Sequence, residues 1–290
     1  MDFTEIARGY YLEALCVEGN TVWFGDVIGG GIHRFDGVHT YQAWLKDQHW
    51  IAAMLLNVNG EIIYSGPSGI QWFNPTTHDS GILLDTIAGQ KIRGVNEMTP
   101  DRSGGMYFGS IDLQSIIQGK KPGPSSLNHL SVDRCVTRLD DGLAFSNGLS
   151  LSQDGKRLFH NESFVGVFAY DINSDGSLGE KQLLLQKEDC DGMALDSNGH
   201  IWVSGFNSNA LLCLSGNGDI LHRIEIPTFG ATNLRFGGET LQDLYINTVA
   251  EGVALQIAKG ILPTEPQSIL YRGYTPRQGL AIPRTHFQLD

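Results

Sequence analysis

The strongest constraint in this chain is a repeat. Six segments share one plan: turn residues, an apolar or aromatic strand, a Gly-rich or polar turn, then a second apolar strand. In order they read "GNTVWFGDVIGGGIHRF", "NGEIIYSGPSGIQWF", "SGGMYFGSID", "DGKRLFHNESFVGVFAY", "NGHIWVSGFNSNALLCL" and "LQDLYINTVAEGVALQI". Their strands align at Trp23, Ile63, Tyr107, Phe159, Trp202 and Tyr245, at separations of 40, 44, 52, 43 and 43 residues. A period of that size with several strands per unit is the spacing of a β-propeller blade. A β-sandwich also shows regular short strands but has no such period. Six units fill the 290 residues, and no linker interrupts them. The expectation is an all-β chain, residues 1–290 forming a single six-bladed propeller around a central channel.

The first strand of each propeller blade lines the channel, so equivalent positions on those strands converge on one axis. Stepping back 10 to 12 residues from each aligned position reaches Glu13, Ala53, Asn96, Asn147, Asp191 and Asn233. Five of the six carry a side-chain oxygen. Carboxylates are depleted in strands and costly to bury unpaired, so "DGMALD" opening on Asp191 needs a reason. Such a ring holds a divalent cation or solvates a water-filled channel, and spacing alone leaves both open. It contains no His, which argues against a His-rich transition-metal site.

Composition narrows the partners. The formal net charge is −12, with no Lys/Arg cluster to offset it, which disfavours nucleic acid and anionic membrane. The 36 Gly, 10 Pro and frequent Asn-Gly and Asp-Gly pairs suit short strands and tight turns. Cys16, Cys135, Cys190 and Cys213 match no zinc spacing and read as free thiols, mostly in strands. The first residues lack the apolar core of a signal peptide, and no apolar run approaches a membrane span. The expectation is a cytoplasmic protein acting on a small molecule. The segment Ile111 to Leu130 reads as an insertion, either a solvated loop or a lid over one channel mouth. "GDVIGGGIHRF" reads as a turn and not a phosphate loop. His33 and His160 read as packed residues, and Glu188 with Asp189 as a solvated loop.

Several words resemble the SMP-30/gluconolactonase (regucalcin-like) family. "FSNGLSLSQDGKRLFHNES" and "DGMALDSNGHIWV" are similar to its signature blades. "YLEALCVEGNTVWFGDVIGGGIHRF", "VNEMTPDRSGGMYFGS" and "FGGETLQDLYINT" are similar to its first, third and last. The resemblance covers nearly the whole chain and implies the same six-bladed fold. It also implies one divalent ion (Ca²⁺, Zn²⁺, Mn²⁺ or Mg²⁺) on Glu13, Asn147 and Asp191. Asn96 is implied to contact substrate or a metal-bound water, and Arg93 to bind substrate. Three words depart from the family: "EAL", which keeps Glu13 and changes the turn after it, Asn96-Glu97, and Asn161-Glu162-Ser163. They leave the implied ligands intact and bear on the substrate.

The implied chemistry is metal-assisted opening of a lactone, with Asp191 taking the proton of the attacking water. No G-x-S-x-G elbow points to a serine hydrolase. The alternatives are another reaction at the same metal, such as phosphotriester hydrolysis, dehydration or C–C cleavage, and a non-catalytic metal-binding regulatory propeller.

Overall fold

The structure is a computed structural model that describes residues 1–289 and, outside residues 40–43, their side chains. Six four-stranded antiparallel sheets stand in a ring. A leading strand β1 (Phe3–Gly9) precedes blade one, which is β2 (Leu12–Glu18), β3 (Thr21–Asp26), β4 (Ile32–Phe35) and β5 (Thr40–Trp44). Blade two is β6 (Met54–Leu56), β7 (Ile62–Gly66), β8 (Gly69–Phe73) and β9 (Ser80–Leu84), followed by a small hairpin, β10 (Thr86–Ile87) and β11 (Gln90–Lys91). Blade three is β12 (Val95–Pro100), β13 (Met106–Ser110), β14 (Ser125–Leu130) and β15 (Val136–Leu143), with helix α1 (Leu113–Ile117) between its second and third strands. Blade four is β16 (Ser146–Leu151), β17 (Arg157–Glu162), β18 (Gly166–Asp171) and β19 (Gln182–Gln186). Blade five is β20 (Cys190–Leu195), β21 (Ile201–Gly205), β22 (Ala210–Leu214) and β23 (Ile220–Glu225). Blade six is β24 (Gly230–Gly237), β25 (Asp243–Val249) and β26 (Ser268–Tyr274), with helix α2 (Val253–Ile257) inserted. Its outer strand is β1, from the other end of the chain. That pairing closes the ring and leaves no blade for the termini to unzip alone.

The apolar residues explain why the sheets stack. Each of the six blade-to-blade junctions holds its own buried cluster, and each cluster contains one of the six aligned residues. Trp23 lies between blades one and two, Ile63 between two and three, and Tyr107 between three and four. Phe159 lies between four and five, Trp202 between five and six, and Tyr245 between six and one. The sequence period is therefore the period of the junctions. Burial falls from the axis outward: every residue of β20 and β24 is buried, whereas outermost β23 is almost wholly exposed.

Two expectations need correction. The sixth unit's "GVALQI" is helix α2 and not a strand; the third strand of that blade is β26. The supposed insertion Ile111–Leu130 ends earlier, because Ser125–Leu130 is β14, a full member of blade three. Blades three and six, on opposite sides of the ring, thus share one design, a short helix inserted after the second strand. Three cysteines are buried in strands and Cys135 is exposed; all four are free. His33 stacks on Phe24 with ring centroids 5.2 Å apart. His160 is fully buried against Ser146 Oγ at 2.9 Å. No helix among the described residues is long and apolar enough to cross a membrane.

Candidate active site

The channel positions are set by bulges. In each of five inner strands the antiparallel register slips by one residue at the ring position. The slips fall between Glu13 and Cys16, Val95 and Glu97, Ser146 and Leu149, Cys190 and Met193, and Ala231 and Asn233. A bulge sets two residues against one and re-aims the side chain there, which is why polar side chains on buried strands turn into the channel. The second blade, with Ala53 at this position, has an unbroken β6–β7 register.

Bulged backbone must find other partners, and polar residues of the second strands supply them. Asn161 Nδ2 donates to the carbonyls of Asp191 (2.7 Å) and Gly192 (3.2 Å) in the next blade. Ser204 Oγ reaches the carbonyls of Gly192 and Thr232. Asn247 Nδ2 donates to Glu13 O at 3.2 Å, tying the last blade to the first. Ser163 Oγ donates to Cys190 O at 2.6 Å and accepts from Asn147 Nδ2 at 3.1 Å. The Asn161-Glu162-Ser163 word, a departure from the family pattern, is therefore the brace behind Asn147 and Asp191. With the Asn147 amide nitrogen committed to Ser163, its oxygen is the atom left to serve a cation.

Glu13, Asn96, Asn147 and Asp191 line one cavity of about 200 Å³ at the mouth carrying the two helices. Asn233 lies beneath them. Its Nδ2 donates to Glu97 Oε2 at 3.2 Å, and its Oδ1 accepts from Arg235 Nη1 at 2.7 Å. Arg235 Nη2 in turn grips Glu97 at 3.1 and 3.2 Å, from blade six to blade three across the axis. Both side chains are 5 % exposed or less. A larger cavity of about 660 Å³ opens at the far mouth, beneath the C-terminal segment, and Arg235 lines it. The Glu97–Arg235 pair is thus the floor between the two. Neither residue falls on a ring position of the repeat. A signal existed: each follows a ring residue by one or two positions, and each is the lone charge on an otherwise neutral inner strand.

Burial, with Asp191 and Glu97 nearby, pushes the Glu13 carboxyl well above the ordinary carboxylate range, against the pull of Arg235 and Asn233. Burial does the same to Asp191, and Glu97 and Asp189 add to it; a hydrogen bond from Asn147 and the charge of Lys187 oppose it. Asp189 is not free in a solvated loop, since Lys187 Nζ binds it at 2.6 Å. Burial together with Asp191 and Glu13 keeps the neighbouring Tyr11 phenol protonated far beyond its usual range.

A half-buried carboxylate, a buried carboxylate and a carboxamide oxygen at the floor of one cavity fit a divalent cation. Arg235, the buried cation whose charge reaches Glu13, is already held by Glu97. A hard divalent ion would supply the missing positive charge and takes oxygen ligands of these kinds. A second group of metal-ligating types, Asp196, His200 and Cys213, lies in blade five. There Asp196 closes a turn: it accepts from the backbone of Asn198 and His200, both at 3.0 Å, and from Trp202 Nε1 at 3.2 Å. Arg277, 3.8 Å away, already supplies positive charge.

Arg93 does not reach the cavity. Its Nε binds Asp112 Oδ1 at 2.6 Å and its Nη2 touches Ser115 Oγ at 3.3 Å, anchoring the first turn of α1. Asp26, at the end of β3, carries no mark in the repeat. It accepts four backbone N–H groups, from Tyr10, Tyr11, Ile28 and Gly29, at 2.8 to 3.2 Å. It thereby fixes the turn that delivers Tyr11 and Glu13.

The SMP-30/Gluconolactonase/LRE-like region matches residues 14–250. A 6-deoxy-6-sulfogluconolactonase of Pseudomonas putida is 26% identical over 241 residues, covering 81% of this chain and 81% of the relative. The pentonolactonase XacC of Haloferax volcanii is 26% identical over 239 residues, covering 78% of this chain and 77% of the relative. A solved structure of a luciferin-regenerating enzyme shares the fold, with a TM-score of 0.83 at 20% identity, over 98% of this chain and 99% of that one. With the bulged inner strands, the six junctions and the matched span taken together, the chain belongs to the SMP-30/gluconolactonase/LRE-like family.

Proposed function

We propose that the protein is a metal-dependent lactonase. The observation that carries this reading is the convergence of Glu13, Asn147 and Asp191, from three separate bulged strands, at the floor of one cavity. The curated relatives named as lactonases support it. Glu13, Asn147 and Asp191 would hold the ion. When bound, it polarises an ester carbonyl and acidifies water. Asp191 accepts the proton that water loses on attacking the carbonyl carbon, and returns it to the ring oxygen as the C–O bond breaks. The product is the open hydroxy acid. Asn96, whose Nδ2 lies 3.4 Å from Ser146 O, offers a carboxamide to orient the substrate. Tyr11, kept neutral, offers a hydroxyl donor. Apolar side chains, among them Leu113, Ile116 and Phe145, line the rest of the cavity around the reacting group.

The test is lactone hydrolysis followed by acid release with a pH indicator. Chelated protein should be silent, and turnover should return when a divalent ion is restored. Full turnover by chelated protein would refute the metal requirement. Silence across sugar, alkyl and aryl lactones with the ion bound would refute the lactonase reading.

A further inference from the structure

The polar atoms of the cavity are confined to its floor. Above Glu13, Asn96, Asn147, Ser163 and Asp191 the lining is apolar or aromatic, and it contains no Lys or Arg. Helix α1 contributes Leu113 and Ile116, and α2 contributes Leu255 and Ile257. The two helices come from opposite blades and meet at their C-terminal ends. A Cβ on Gly260 would lie 2.8 Å from Gly119 Cα, so the contact is glycine against glycine. The apolar face of each helix packs toward a shared Trp50. They form a roof, and Arg93 holds the first turn of α1 in place from outside.

The side wall is aromatic. Phe145, Phe164 and Phe206 come from three separate loops, with successive ring centroids 6.3 and 6.0 Å apart. Phe164 is 51% exposed although it is a large apolar residue. Its backbone is left-handed at φ 73°, as is that of Trp50 at φ 66°. A bulky side chain in that region is a costly outlier, and such strain gathers where a ligand is gripped. Two independent observations, an apolar roof and strained aromatic walls, therefore point to the same kind of occupant.

We propose that the substrate is a small, uncharged lactone bearing an alkyl or aryl substituent, and not a polyhydroxylated or anionic sugar lactone. A polyol would bury hydroxyls against Leu113, Ile116 and Phe206 without partners, at about 1–3 kcal/mol for each unpaired group. An anionic group would meet no cationic side chain there and would face two carboxylates. An apolar substituent gains from the same walls. This substrate class rests on the lactonase reading, so binding is measured apart from turnover.

The experiment uses the metal-loaded protein with dihydrocoumarin, an alkyl δ-lactone and glucono-1,5-lactone. Binding of the lactam analogues of the first and last, which resist hydrolysis, is read by tryptophan fluorescence and calorimetry. The expected result is kcat/KM at least ~100-fold higher for the aryl and alkyl lactones, the order set by leaving polar groups unpaired. The aryl lactam should bind and the polyhydroxy lactam should not. Ile116→Asn should weaken aryl lactam binding by roughly 10-fold, as loss of an apolar wall contact does. Equal or better hydrolysis of the sugar lactone overturns the substrate class and leaves the lactonase reading intact. Binding of the aryl lactam with no hydrolysis of any lactone upholds the apolar site and refutes the lactonase reading. Failure of the aryl lactam to bind overturns the proposal.

Discussion

Replacing Asp191 by Asn lowers kcat/KM for lactone hydrolysis by roughly 10²–10⁴-fold, the range lost with a positioned general base. The fold survives, because the bulge that carries residue 191 is held by Asn161 through backbone carbonyls and not through the carboxylate. The same variant should be more stable than the parent when both are metal-free at neutral pH, by ~0.5–2 kcal/mol, the usual gain from relieving a functional site. The sign follows from proton linkage. The native Asp191 carboxyl is raised above its unfolded value near ~4, so the native state binds the proton more tightly. Stability of the metal-free parent therefore falls as pH rises from ~4 toward the raised native value, and the Asn variant lacks that contribution. Urea unfolding at several pH values reads the stability, and the pH-indicator assay reads the activity. Undiminished turnover would remove Asp191 from the mechanism.

The second large effect lies in the floor of the cavity. Glu97→Ala should cost about 3–5 kcal/mol of unfolding free energy, because it leaves the Arg235 guanidinium buried without its counter-charge. Arg235 has no alternative partner of that strength. Its Nη1 already serves the carbonyls of Met193 and Leu234, and its Nε has no partner. The double variant Glu97→Leu with Arg235→Met should recover most of the loss, since an apolar pair of similar volume removes both desolvation penalties. Urea midpoints at constant slope measure both. A loss below about 1 kcal/mol in Glu97→Ala would show that water reaches the pair and that the floor is open.

Much of this arrangement was legible before the fold was known. The period of large apolar and aromatic residues locates all six junctions, because a residue that recurs once per blade meets the same neighbouring sheet each time. Counting back from it reached the bulged position on five inner strands, since the turn between first and second strands varies little in length. The helices were not legible. "GVALQI" is apolar and short, and such a run reads as strand or helix equally well. β14 is hidden because "SSLNHL" carries too many polar residues to announce a strand, yet five of its six residues are buried in the blade. The Glu97–Arg235 pair joins residues 138 apart in sequence, a distance at which no local pattern operates. The resemblance implies a substrate-binding role for Arg93, whereas three residues before Asn96 its guanidinium is held by Asp112. The closing pair, β1 with β26, likewise spans nearly the whole chain and left no mark on the repeat.

Calorimetric titration of a divalent cation into the chelated protein tests the central claim most directly. A single ion should bind per chain, with protons released as Glu13 and Asp191 ionise, so the heat depends on the buffer's own ionisation heat. Glu13→Gln should lower the affinity at least ~10-fold while leaving the unfolding transition cooperative, consistent with the loss of a charged ligand. Absence of binding in the parent, or equal affinity in Glu13→Gln, would contradict the assignment of this cavity as the metal centre.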